Sequence, residues 1–139
     1  MLERRAERRE NMGGTWDLFR YPGIRSDSDM YTLGYSFYPW HAPKSIADGP
    51  SILEYVQDTA REFGIDEKIQ YGLHVKRASW CSETSRWTVE AEVDGSGEVR
   101  RFDCGFLFMC SGYYNYDAGY TPEFEGLADY EGRVVHPQF

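Results

Sequence analysis

At 139 residues, with 41% hydrophobic and 17% aromatic content, the chain is long enough for one modest packed domain and too apolar for a disordered one. Fifteen basic against 23 acidic residues leave a net charge of −8, which excludes the basic face that nucleic acid requires. No apolar run approaches the ~20 residues of a membrane span, and the segment from Met1 to Glu10 is charged throughout, unlike a secretory leader. Cys81, Cys104 and Cys110 are odd in number and form no Cys-x-x-Cys pair, which points to reduced thiols and a cytoplasmic protein.

By residue type alone, Arg4, Arg5, Arg8 and Arg9 interleaved with Glu3, Glu7 and Glu10 describe a solvated face. The run Gly13-Gly14-Thr15-Trp16 follows. Two glycines let a bulky ligand approach the backbone with no Cβ in the way. Trp16 adds a flat apolar face with one N–H donor, which suits an aromatic cofactor. Tyr21-Pro22-Gly23 turns the chain and brings Arg25 and Asp27 into the same neighbourhood.

From Ala47 to Gly64 the spacing predicts a helix. Ser51 and Glu54 have capping-box spacing, Pro50 suits a first turn, and Gly64 ends the run. Ile52, Leu53, Val56, Ala60 and Phe63 fall on its apolar face. Ile69, Tyr71, Leu73 and Val75 alternate, as do Trp87, Val89, Ala91 and Val93, and Asp94-Gly95-Ser96-Gly97 turns into a third strand ending near Phe102. These three strands make an antiparallel meander. The almost continuously apolar stretch from Cys104 to Cys110 reads as a strand buried on both faces of a parallel sheet. Ser111-Gly112 would then be the small-residue turn at its C-terminal end, where open α/β sheets place ligands. Tyr113, Tyr114, Tyr116 and Tyr120 read as a surface loop that packs on a neighbouring domain. His41 and His74 are isolated, and Asp27 with Asp29 lacks the glycine and distal glutamate of a calcium loop, so no metal is expected. Ser111-Gly112 lacks the Gly-x-Ser-x-Gly context of a nucleophile.

Residues 13–27 match, at seven specified positions without a gap, the long fingerprint of Baeyer–Villiger monooxygenases: Gly or Ala, Gly, any, Trp, four of any kind, Tyr or Phe, Pro, Gly or Met, three of any kind, Asp. The stretch from Tyr130 to Gln138 resembles a second signature of that family, Phe-x-Gly-x-x-x-His-x-x-x-Trp, with Tyr130 for the Phe and with Gly132 and His136 in place. Residues 24–34 and 110–116 are most similar to the mycobacterial, ethionamide-activating branch of the family.

This resemblance implies an α/β flavoprotein with two dinucleotide-binding domains, one for FAD and one for NADPH, each opened by a Gly-x-Gly-x-x-Gly turn. The sequence contains neither turn. Residues 1–139 are therefore expected to be a fragment: an incomplete Rossmann-like FAD-binding domain carrying an antiparallel β-meander insertion. The implied chemistry uses FAD and NADPH to insert one oxygen atom of O2 into ketones, or to place it on the sulfur of sulfides and thioamides.

Resemblance also assigns roles. Glu7, six residues before Gly13, has the spacing of the family's acidic residue that accepts from the FAD ribose; Glu3 is four residues too early. Gly14, Thr15 and Trp16 would hold FAD, and the Val75 backbone would meet its adenine end. Asp27 would lie near the flavin as the catalytic residue that pairs with an arginine of the NADPH domain, with Arg25 contacting the nicotinamide side. Without the family, Trp16 would be a core aromatic and Asp27 a turn aspartate capping its own backbone. His136 would couple the two domains as the cofactor moves. The alternative expectation is a non-catalytic module that self-associates or binds a partner through exposed sheet surface.

Overall fold

The computed structural model describes residues 5–138. Its elements in chain order are β1 (Arg5–Ala6), α1 (Thr15–Leu18), α2 (Met30–Leu33), α3 (Gly49–Glu62), β2 (Ile69–Gln70), β3 (Leu73–Cys81), β4 (Arg86–Val93) and β5 (Val99–Cys104). Short 3-10 turns lie at Asp66–Lys68 and Leu127–Asp129. The chain divides into two compact units, one of residues 1–14 with 54–110 and one of residues 15–53 with 111–139.

In the first unit, β1 pairs in parallel with β2, Arg5 opposite Ile69 and Ala6 opposite Gln70. This short pair is the parallel part of the α/β fold. The antiparallel sheet β3-β4-β5 is the expected meander. Alternation explains its core, because successive strand residues face opposite ways: Val89 and Ala91 of β4 are buried while Arg86 is exposed. The turn Asp94–Gly97 forms as the sequence predicts, with Gly95 and Gly97 both at positive φ.

Two strand expectations are corrected. The run of Ile69, Tyr71, Leu73 and Val75 is two strands rather than one, since Gly72 at φ 67° breaks it. A bulge between Val75 and Arg77 then disturbs the pairing with β4. Leu73 is buried, but the Val75 side chain is 43% exposed. The second correction concerns Cys104 to Cys110. Strand β5 makes its last pair at Cys104, opposite Trp87, and residues 105–110 belong to no helix or strand. A strand buried on both faces needs pairing partners and a covering layer. Among the described residues no strand pairs beyond Cys104, and Phe106, Phe108 and Met109 are more than three-quarters exposed.

Helix α3 ends as predicted. Gly64 at φ 57° donates to the Arg61 carbonyl (3.1 Å), and Ile65 donates to the Ala60 carbonyl (2.8 Å), which together form a Schellman stop. Its start is corrected. The cap is Asp48, whose Oδ1 accepts from the Ser51 backbone N–H (3.0 Å) and hydroxyl (2.8 Å), so Ser51 is capped and does not cap. Ile52 and Ala60 are buried as expected, but Phe63 is 45% exposed and Thr59 takes an inward place. Thr59 manages this because its hydroxyl donates to the Tyr55 carbonyl one turn back (2.7 Å).

The second unit has little regular structure and is held by buried anchors: Met30 and Ala47 are fully buried, and Phe19, Trp40 and Ile52 nearly so. Asp29 caps α2 by accepting from the Thr32 N–H and hydroxyl. The Trp40 indole N–H donates to the Lys44 carbonyl (2.9 Å). Residues 111–138 are tied together by Gln138, whose side-chain amide donates to the Asn115 carbonyl (3.0 Å). Gly119 lies close against the His136 ring and Gly132 against the Tyr130 ring, so a Cβ at either place would require that ring to shift.

Candidate functional site

In the first unit the strand β1 delivers Glu7 as its next residue. The Glu7 N–H donates to the Gln70 carbonyl (3.0 Å), and its own carbonyl accepts from Leu73 (2.9 Å), so the backbone is fixed from both sides. Its carboxylate Oε1 accepts from the Arg9 backbone N–H (3.0 Å). Glu3, the other acidic residue considered, lies outside the described residues. Gly13 (φ 121°) and Gly14 (φ 50°) both occupy backbone conformations that favour glycine. The Arg9 guanidinium Nη1 donates to the Gly14 carbonyl (3.0 Å). Val75 belongs to the same unit, paired with Ala91. Burial, followed by the charges of Glu7 and Asp66, pushes the Tyr71 phenol up, which marks Tyr71 as a neighbour of Glu7. Arg9 and Tyr71 were not among the expected site residues.

In the second unit Thr15 and Trp16 open α1, and Trp16 is half-buried. The next residue, Asp17, is only 4% exposed and is paired with Arg20 through a side-chain contact (2.8 Å) and an Nε bond to its carbonyl (2.9 Å). Trp16, Phe19, Tyr21, Ile24, Pro50 and Leu53 line an apolar cleft of about 600 Å³, with Arg20 and Asp48 as its charged members.

Arg25 and Asp27 do not line that cleft. They sit on a short ribbon in which Arg25 bridges antiparallel to Asp48 and the Gly49 N–H donates to the Ile24 carbonyl (2.9 Å). Ser26, between them, is 3% exposed. Its N–H donates to the Ala47 carbonyl (2.9 Å), and its Oγ accepts from the Ala47 N–H (3.2 Å). Extended backbone alternates, so an inward Ser26 leaves Arg25 and Asp27 exposed on the other side. The sequence signal for Ser26 was its place between two charged site residues two apart. The Tyr113 hydroxyl bond, reinforced by the nearby charges of Tyr113, Asp27 and Tyr21, pushes the Tyr114 phenol up. Tyr114 also packs edge-on against Phe19 at 5.3 Å. Thus Thr15, Trp16, Arg25 and Asp27 share one unit, and Glu7, Gly14 and Val75 share the other.

Two carboxyls in the second unit are held below the usual carboxylate range: Asp48 by Lys44 and then Ser51, and Asp29 by Thr32. A depressed folded-state pKa stabilises the fold above the unfolded value, and that stability is lost as the pH falls through the folded value. Thermal melting is therefore expected to be level from pH 7 to pH 5 and to fall steadily below about pH 4. Asp48→Asn is expected to flatten that fall; an unchanged slope would remove Asp48 from the account.

The profile of the flavin-binding monooxygenase-like family matches residues 7–139. The chain belongs to this family. Among curated relatives, it is 60% identical over 132 residues to the FAD-containing monooxygenase MymA of Mycobacterium tuberculosis. It is 56% identical over 132 residues to the FAD-containing monooxygenase EthA of the same species. Both alignments cover 95% of this chain and 27% of the relative. Among solved structures, a steroid monooxygenase bound to NADP superposes with a TM-score of 0.75 at 31% identity, covering 97% of this chain and 26% of that one. OTEMO in complex with FAD and NADP gives 0.72 at 26% identity, covering 96% and 25%. The chain thus spans about a quarter of the length of the family members it matches, and its fold is a portion of their α/β, two-dinucleotide-binding architecture.

Proposed function

We propose that residues 1–139 form part of the FAD-binding domain of a Baeyer–Villiger-type monooxygenase that uses NADPH and O2 in the cytoplasm. The observation that carries this reading is the joint placement of Glu7 at a strand end and the Gly13–Gly14 turn, linked through Arg9. These residues fit one half of the cofactor. A strand-end carboxylate is the acceptor that a pair of ribose hydroxyls needs, and two glycines at positive φ leave room for a bulky group against the backbone. In the second unit Thr15 and Trp16 would supply polar and aromatic contacts to FAD; in the first unit the Val75 backbone would meet the adenine.

FAD, when bound, supplies the oxygen chemistry, and the side chains of this chain bind and orient it. Asp27, which makes no ion pair among the described residues, would hold a guanidinium by a charge-assisted contact, with Arg25 serving the nicotinamide side. The substrate class is ketones, and sulfides or thioamides oxidised at sulfur. The isolated chain is expected not to turn over, because the pyrophosphate has no Gly-x-Gly-x-x-Gly helix start to sit on. Oxygen uptake measured with NADPH and added FAD tests this, and robust turnover by the isolated chain would refute it.

A second reading, self-association of the chain through exposed apolar segments, is favoured by the exposure of Phe106, Phe108 and Met109.

A further inference from the structure

The charged N-terminal run contains one arginine that does more than solvate. Arg9 is half-buried, and it touches both pieces of the first unit's candidate site. Its backbone N–H holds the Glu7 carboxylate (3.0 Å), its guanidinium Nη1 holds the Gly14 carbonyl (3.0 Å), and its own carbonyl accepts from Gly72 (3.4 Å). A single residue therefore ties the strand end, the glycine turn and the entry to β3 into one loop.

The need for such a tie follows from the backbone. Gly13 and Gly14 carry no Cβ to restrict the backbone, and nothing in a glycine pair selects φ 121° and 50° over the alternatives. A charge-assisted hydrogen bond to the Gly14 oxygen selects one peptide orientation. A trans peptide sets its N–H opposite its C=O. Anchoring the Gly14 oxygen to Arg9 thus also turns the Thr15 N–H away from the guanidinium, leaving that donor for another group. Arg8, the adjacent residue with the same charge, is exposed.

We propose that Arg9 is a positioning residue that locks the Glu7 carboxylate and the Gly13–Gly14 turn into one preformed receptor for the adenosine-diphosphate half of FAD. The proposal rests on the reading of this chain as part of an FAD-binding domain. Arg9 need not touch the cofactor. Its effect is on the entropy of a loop that otherwise has to be ordered at binding.

The test uses the whole chain as wild type, Arg9→Ala, Arg9→Lys and Arg8→Ala, with two readouts. The first is the Gly14 carbonyl carbon resonance without ligand, alongside the amide protection of Val89 and Ala91 as a folding control. The second is FAD affinity by flavin fluorescence. Arg9→Ala is expected to move the Gly14 resonance, keep the meander protected and weaken FAD about tenfold. Arg9→Lys should recover part of that affinity by restoring one charged donor, and Arg8→Ala should leave both readouts near wild type. An unmoved Gly14 resonance overturns the proposal. So does equal weakening of FAD by Arg8→Ala and Arg9→Ala, which would make the effect one of net charge. A wild-type chain that takes up no FAD overturns the domain reading instead, and the Gly14 resonance then decides the clamp by itself.

Discussion

Asp27→Ala is expected to lower kcat about 100-fold, close to 2.7 kcal/mol of activation barrier, in a polypeptide that joins this chain to segments carrying both the FAD and the NADPH Gly-x-Gly-x-x-Gly turns. The ribbon geometry is the reason. Ser26 is buried and bonded twice to Ala47, which fixes the backbone on one side and leaves the Asp27 carboxylate exposed on the other. A carboxylate held this way can orient a guanidinium through a charge-assisted contact, and on the proposed reading the reaction would depend on that guanidinium being in place. Asp27→Asn keeps an acceptor but loses the charge, so it falls between wild type and alanine. Product formation per NADPH consumed is the measurement, with FAD content checked in parallel. A variant with normal FAD content and kcat within about threefold of wild type would remove Asp27 from the catalytic account. A loss of FAD content would make it a binding residue only.

The isolated chain is expected to associate with itself as its concentration rises, and Phe106→Asp combined with Phe108→Asp is expected to weaken that association at least about tenfold. From Gly105 to Tyr116 the chain carries no charged side chain, and Phe106 and Phe108 are each 78% exposed. Burying two phenylalanine side chains is worth roughly 3–6 kcal/mol before the entropy of association is subtracted. Uncharged and free of proline, this segment can pair edge to edge with its own copy. The net charge of −8 opposes the contact at neutral pH, so association should strengthen as the pH approaches the isoelectric point near 4.8. Sedimentation velocity across a concentration series decides the matter. A monomer at every concentration and at both pH values would exclude this surface as an interface. Because both aromatic side chains are exposed, their replacement should leave the melting of the β3-β4-β5 meander unchanged.

What could be read from the residues in order is what near neighbours decide. The family fingerprint of residues 13–27 is a local string, and the β3-β4-β5 meander follows from period-two alternation and a glycine turn. The end of α3 follows from Gly64, the residue best able to take φ 57° and close a Schellman stop. Glu7, singled out by the spacing of the family it resembles, stands directly after strand β1.

Other features were decided only by the tertiary structure, and each depends on a partner or neighbour that local pattern does not announce. Ser51 and Asp48 both carry capping groups, and the fold selects Asp48 because Ile24 and Arg25 pair with Gly49 and Asp48 at the helix start. Strand β1 exists because residue 5 meets residue 69, a pairing invisible in the charged N-terminal run. Ser26 reaches Ala47 across 21 residues and thereby sets the direction of Asp27. The apolar stretch after Cys104 shows the same dependence in reverse: its composition suits a buried strand, but its burial depends on neighbours that no pattern within the stretch can specify. Propensity and periodicity act over a few residues, whereas caps, clamps and strand pairing are hydrogen bonds whose second partner the chain supplies only on folding.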